Sequence, residues 1–339
     1  MHWSIAAPFF NKKNTDDIRW IDDFVEGSKH NFTKVLVDEK SPEKSWHNRA
    51  SRGSSIQEWL GHWQYSGKAW NQGQDGCITV FPQLATLIGL RKYYSNRNKP
   101  LVAWCFNIGK LETGARQKLA KVSLNNVDKF IVHSQRECET VSQWLNTSSE
   151  RFEYMPLQRG YIEVTEEENT ESPFILSMGT ANRDYDTFFK AVEKLGYRTI
   201  VVAGKRSIEK LTIPKNVEIV SGISHEECRQ LAQQAKINIV PLQDTPTGSG
   251  QVTIIEAMRM NKAVIATKCA GSEDYINNRE TGILTSPYSV NELQDSIKEL
   301  WNEDDFRQSI ANAGASYSEK YFSDETAAKN LNTVLDRFL

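Results

Sequence analysis

The sequence predicts an α/β protein built from two doubly wound parallel sheets. Three observations carry that prediction. Short apolar runs alternate with helix-spaced segments along most of the chain, the pattern of strand–helix–strand units. The alternation restarts after an acidic stretch at 161–172, Tyr-Ile-Glu-Val-Thr-Glu-Glu-Glu-Asn-Thr-Glu-Ser, which reads as a linker. A length of 339 residues suits two domains.

In the first half, Trp3–Ala7 reads as a strand. Asp16–Ser28 reads as an amphipathic helix, with Ile18, Ile21, Phe24 and Val25 at helical spacing. Thr33–Val37 is the next strand. A polar, tryptophan-rich stretch follows, the least regular of the chain, holding Trp46-His47, Trp59, His62-Trp63 and Trp70. Then come Cys77–Phe81 (strand), Leu84–Leu90 (helix), Pro100–Trp104 (strand), Arg116–Asn125 (helix), Lys129–Val132 (strand) and Glu137–Leu145 (helix). In the second half, Phe174–Met178, Arg198–Ala203, Val217–Val220, Ile237–Pro241, Ala263–Thr267 and Gly282–Leu284 read as strands. Tyr185–Leu195, Glu226–Gln234 and Val252–Met260 read as helices, and Val290–Leu339 as helices broken near Phe322-Ser323. Two such domains would leave a cleft lined by strand carboxyl ends, where ligands belong.

Composition narrows the setting. Hydrophobic content of 39% and charged content of 25% describe an ordinary globular protein, and a formal charge of −2 gives no general pull toward nucleic acid. The five cysteines form no CxxC pair, so neither a disulfide framework nor a zinc site is implied. No apolar run approaches membrane-spanning length and no signal-peptide pattern opens the chain, so a cytoplasmic location is expected and the sequons at Asn31 and Asn146 read as chance.

The most informative segment is 247–275. An apolar strand leads to the small-residue loop Thr247-Gly248-Ser249-Gly250, and after Gln251 a helix opens at Val252-Thr253. Strand, Gly/Ser loop and helix N-terminus together present unpaired N–H groups and a positive dipole end to an anion, usually a phosphate. Glu256, one and a half turns into that helix, stands within reach of a ribose hydroxyl. Gly/Ser loops also precede helices merely as caps, so both readings stay open on this segment alone.

With these residues in view, the chain resembles the retaining, family-four-type glycosyltransferases of the GT-B fold, best from about Phe174 to Phe322. Gly179-Thr180-Ala181-Asn182-Arg183-Asp184-Tyr185 matches the family's first-strand loop, and the resemblance implies that Arg183 contacts the donor diphosphate. Val217–Ser224, with Ile223, is similar to the loop over the nucleobase, and Glu256 matches the second glutamate of the family's Glu-x7-Glu signature, which binds the ribose. Glu273-Asp274-Tyr275 and Thr281–Leu284 resemble the later structural motif. The family's first signature glutamate, which contacts the donor sugar, falls on Gly248; Thr180 replaces a common arginine; and Ala7-Pro8-Phe9-Phe10 stands where a Gly-Gly loop is usual. The resemblance implies an acceptor-binding domain over 1–160, a donor-binding domain over 173–322, and a terminal helix over 323–339 returning to the first domain.

For retaining transfer, the protein must aim cations and backbone donors at charge growing on the diphosphate. Arg183, Lys205 and the loop Ser249–Val252 are the candidates. On the acceptor side, Asn107 and His133 follow strands that should point into the cleft, and Trp46-His47 or His62-Trp63 could stack on a sugar. Asp184-Tyr185-Asp186 fits a metal-binding Asp-x-Asp pattern but sits at a helix start, where aspartates cap, so no metal is expected. The basic, aromatic stretch Gly89–Lys99, with Arg116, Lys118 and Lys121, reads either as a solvated helix end or as a surface that could rest on anionic lipid.

The expectation is a glycosyltransferase taking its sugar from a UDP- or GDP-sugar, with no further cofactor. A saccharide or lipid-linked acceptor is expected, in surface polysaccharide or glycolipid assembly at the inner face of the membrane. A nucleotide-sugar epimerase and a catalytically silent nucleotide-sugar-binding subunit are the rivals; Gly248 and Thr180 keep the second open. Base, sugar, linkage and oligomeric state are not legible.

Overall fold

The computed structural model describes residues 1–10, 20–25, 27–37, 56–95 and 97–339, with backbone only at 56–58. The chain divides into two units, Met1–Met155 with Asp324–Leu339, and Pro156–Ser323.

In the first unit, β1 (His2–Ala6), β2 (Asn31–Val35), β3 (Gly76–Val80), β4 (Leu101–Trp104), β5 (Lys129–Val132) and β6 (Phe152–Tyr154) form a parallel sheet in the order β2-β1-β3-β4-β5-β6. β3 is buried at every residue, as expected of a parallel strand covered on both faces. The helices are α1 (Ile56–Gln72), α2 (Pro82–Tyr94), α3 (Gly114–Leu124) and α4 (Gln135–Leu145).

The tryptophan-rich stretch expected to be irregular is largely helix α1, which carries Trp59, His62, Trp63 and Trp70. Its inward face is His62, Tyr65, Ser66, Ala69 and Trp70, too polar to register as an apolar stripe. Tyr65 ties it down: the hydroxyl donates to Val35 O (2.6 Å) and accepts from Ala7 N (3.1 Å). Trp46 and His47 lie outside the described residues, as does most of the helix expected from Asp16. Its described part is a single 3-10 turn at Ile21–Phe24. Strand β6 went unread because it is three residues long.

In the second unit, β7 (Ile175–Met178), β8 (Thr199–Val202), β9 (Val217–Val220), β10 (Ile237–Val240), β11 (Val264–Thr267) and β12 (Ile283–Thr285) are parallel, in the order β12-β11-β10-β7-β8-β9. The helices are α5 (Tyr185–Leu195), α6 (His225–Gln234), α7 (Gln251–Arg259), α8 (Val290–Asn302) and α9 (Asp304–Tyr321). One core layer joins Phe188, Val192, Ile239, Ile265 and Ile297; another joins Val240, Leu242, Ile254, Ile255, Met258 and Tyr275. The chain runs outward from β7 to β9, then crosses back to place β10 on the other side of β7. The switch point therefore lies between β7 and β10, and the crevice beyond their carboxyl ends is where such sheets bind ligands.

The acidic stretch expected as a linker is strapped along this unit. Thr165 and Glu166 donate their N–H groups to Gln233 Oε1 (2.7 and 2.8 Å), and Glu168 pairs with Lys262 and Arg307. A last helix, α10 (Asp324–Leu335), packs in the first unit through Leu331, Val334 and Leu335. His30 accepts from Trp3 Nε1 at Nδ1 (3.0 Å) and meets Asp336 through Nε2 (3.1 Å).

Candidate functional site

Helix α7 begins at the switch point, and no side chain among the described residues caps it. Its N-cap is Gly250 at φ 85°, a left-handed conformation that a β-carbon would strain and crowd, since that atom would lie 2.9 Å from Leu242 Cδ2. The first intrahelical bond closes at Ile254 N to Gly250 O (3.1 Å), leaving the N–H groups of Gln251, Val252 and Thr253 with no carbonyl a turn earlier. Polar side chains crowd the same mouth. Ser249 Oγ and Gln251 Nε2 are both buried without a hydrogen-bond partner among the described residues.

The loop after β7 is sewn onto this mouth. Asp184 N donates to Pro241 O (3.0 Å) and Gln243 N to Asn182 O (2.9 Å), while Tyr185 donates its hydroxyl to Gly179 O (2.6 Å). That framework lays the Arg183 side chain across Gly179 and against α7. Its guanidinium donates to Met178 O (3.0 Å), Ala181 O (2.9 Å) and Thr253 Oγ1 (3.2 Å). Among the described residues it meets no carboxylate, and burial pulls its pKa below the ordinary arginine value. A half-buried cation at the positive end of a helix is electrostatically unfavourable until an anion joins it. The arrangement is therefore built to receive negative charge.

Glu256, one turn beyond Thr253, is 7% exposed. Its Oε1 lies 3.5 Å from Arg159 Nε and 3.6 Å from both His225 Nε2 and Arg229 Nη2. Burial pushes its pKa up, but His225, Arg159 and Arg229 outweigh it and hold the carboxyl below the usual glutamate range. Sequence reasoning missed all three cations. The spacing of His225 and Arg229, four apart and hence on one face of α6, was the available signal. Arg159 offered none.

The remaining candidates are more dispersed. Lys205 is exposed in a 3-10 turn after β8, a loop joined to the β7 loop through Gly204 N and Thr180 Oγ1 (3.4 Å). Ile223 is half-buried after β9, just before Ser224 and Glu227 cap α6 reciprocally. Asn107 and His133 belong to the first unit. Asn107 Oδ1 accepts from Gly109 N (3.0 Å) in a local turn; His133 is buried, with Nδ1 2.7 Å from Met155 O. The structure thus gathers Gly179, Arg183, Ser249, Gly250, Gln251, Val252 and Thr253 at one helix mouth, with Glu256 a turn further on.

Asp184 accepts from Thr187 N (3.2 Å) as the cap of α5, and Asp186 pairs with Lys190. Both carboxylates of the Asp-x-Asp pattern are therefore engaged. Much of the basic stretch 89–99 is likewise turned inward. Arg91 stacks 3.8 Å over Trp63, Lys92 pairs with Asp128, and buried Lys99 donates to Trp70 O and Gly73 O.

Comparison with known proteins adds three findings. Residues 161–317 match the family model described as Glycosyl transferases group 1. Among known protein sequences, the chain is 25% identical over 161 residues to the capsular polysaccharide biosynthesis glycosyltransferase CapM of Staphylococcus aureus, covering 44% of this chain and 41% of that one. It is 26% identical over 119 residues to an uncharacterized glycosyltransferase of Methanocaldococcus jannaschii, covering 34% and 33%. The matched parts thus span a third to two-fifths of these relatives' lengths. Among solved structures, HepE of Anabaena in complex with UDP superposes with a TM-score of 0.69 at 14% identity, over 99% of both chains. At that identity the likeness shows the fold, which is GT-B.

Proposed function

We propose that this chain, whose residues 161–317 match the glycosyl transferases group 1 model, is a glycosyltransferase using a nucleoside diphosphate sugar as donor and a saccharide or lipid-linked acceptor. The observation that carries the reading is the half-buried Arg183 guanidinium, which meets no carboxylate among the described residues and lies beside the open N-terminus of α7. An arginine fork suits a diphosphate through paired charge-assisted hydrogen bonds. The UDP bound by HepE and the capsular role in CapM's name support the donor class and the setting.

In this reading the second unit binds the donor and the first the acceptor. The bond between anomeric carbon and β-phosphate oxygen breaks as the acceptor oxygen bonds the same face, and the acceptor's proton passes to the departing phosphate. Arg183, Lys205, Ser249 and the N–H groups of Gly250–Thr253 stabilise charge on the leaving diphosphate, so no metal is required. Glu256 holds the ribose, Ile223 borders the base, and Asn107 and His133 serve the acceptor. Peripheral membrane contact at the cytoplasmic face is part of the proposal. It rests on α3, where Arg116 and Lys118 are exposed alongside Leu119 (60%) and Val122 (47%).

The test is release of UDP or GDP from a donor panel, with and without saccharide acceptors, and with the product's anomeric configuration read by NMR. Acceptor-dependent release with retention supports transfer. Binding without turnover supports the silent-subunit reading, which Gly248 and Thr180 keep open.

A further inference from the structure

Gln251 is the first residue of α7, and its side chain folds back over the preceding loop, as helical side chains lean toward the N-terminus. The carboxamide comes to rest against Gly248: a β-carbon built on Gly248 would collide with Gln251 Nε2 and lie 3.5 Å from its Cδ. Gly248 is itself buried, Gln251 is only 5% exposed, and its Nε2 has no hydrogen-bond partner among the described residues. A buried, unmatched amide donor costs stability in the unliganded protein, so its retention calls for a reason. The loop has given up a side chain at 248, and the space is taken by an N–H donor.

The order of groups along α7 says what that donor meets. Glu256 lies farthest into the helix, Thr253 with the Arg183 guanidinium lies between, and the Gln251 amide lies at the outer edge, over Gly248. A nucleoside diphosphate sugar with its ribose at Glu256 and its phosphates at Arg183 carries its sugar toward Gln251. We infer that the Gln251 carboxamide, seated in the space left by Gly248, donates a hydrogen bond to an oxygen of the donor sugar. Gln251 is thus a sugar-recognition residue, and the Gly248–Gln251 pair replaces the carboxylate that the family resemblance puts at 248. This rests on the donor reading above.

The test is calorimetric titration of wild type, Q251M and G248A with UDP and UDP-glucose, and with GDP and GDP-mannose. Methionine keeps the volume and the helix propensity and removes only the amide. Wild type that binds neither pair overturns the donor reading, and this inference with it. With a pair that binds, Q251M is expected to hold the nucleoside diphosphate within twofold of wild type and the sugar nucleotide about tenfold more weakly. Its unliganded Tm is expected to be unchanged or higher, because the amide has no partner to lose. G248A, whose methyl group displaces the amide, gives the same selective loss, and the double variant is no weaker than either single. Equal loss for both ligands, no loss for either, or a fall in the Tm of Q251M overturns the inference while leaving the donor reading intact.

Discussion

Replacing Glu256 by glutamine separates two roles that the carboxylate could fill. The substitution keeps shape and removes one negative charge from among Arg159, His225 and Arg229, which lie 3.5–3.6 Å from Oε1. Breaking a fully buried ion pair costs about 3–5 kcal/mol and an exposed one less than about 1. The arginine side chains are about a third exposed and that of His225 is 63% exposed, so about 2 kcal/mol is appropriate. For a unit of this size that lowers Tm by about 4–8 °C. If Glu256 also accepts a ribose hydroxyl, the charge-assisted bond contributes about 1.5–3 kcal/mol, so UDP or GDP affinity falls about tenfold or more in calorimetry at pH 7. The pH dependence follows from the same contacts. Because the folded carboxyl titrates below its unfolded value, its stabilisation is present above about pH 4.5 and is lost as pH falls through the folded pKa. E256Q should therefore flatten the Tm profile below about pH 5. A lower Tm with unchanged nucleotide affinity would refute the ribose assignment and leave Glu256 as an anchor for the basic cluster.

Three further outcomes are expected. Gly250→Ala should cost about 1–3 kcal/mol in urea unfolding, because alanine meets both a φ of 85° and the Leu242 methyls; a change below about 0.5 kcal/mol contradicts the tight mouth. Asp184→Ala should lose about 1 kcal/mol from the α5 cap while donor turnover stays insensitive to EDTA, whereas metal-dependent turnover abolished by the change would reverse the assignment. His30 is held neutral between Trp3 and Asp336, and burial lowers its pKa, so the unfolded chain takes up a proton first as pH falls. Stability of the wild type should decline as pH drops below about 6.5, and His30→Gln should remove that slope.

What the sequence made legible tracks how local each signal is. Lys129–Val132, Tyr185–Leu195 and Val217–Val220 were read with their observed bounds, because apolar runs and helical spacing need no tertiary knowledge. The mouth of α7 was visible for the same reason, since small residues before a helix are a contiguous pattern. α1 was not read as a helix, because its buried face uses Ser66, His62 and a tyrosine whose hydroxyl seeks strand-end backbone atoms. The cations around Glu256 come from a loop and from α6, and only folding brings them to one carboxylate. The basic run near Lys99 looked like a surface, yet Lys99 and Arg91 find their partners on α1 and in the turn after it. The Gln251 seat depends on where one side chain folds, which no spacing rule encodes.

The most direct test of the central claim is a crystal structure of the protein with UDP-glucose or GDP-mannose bound. The account predicts phosphate oxygens about 3 Å from the N–H groups of Gln251–Thr253 and from the Arg183 guanidinium, with the ribose hydroxyls on Glu256. A sugar nucleotide bound elsewhere, with Arg183 still facing only Met178, Ala181 and Thr253, would contradict it.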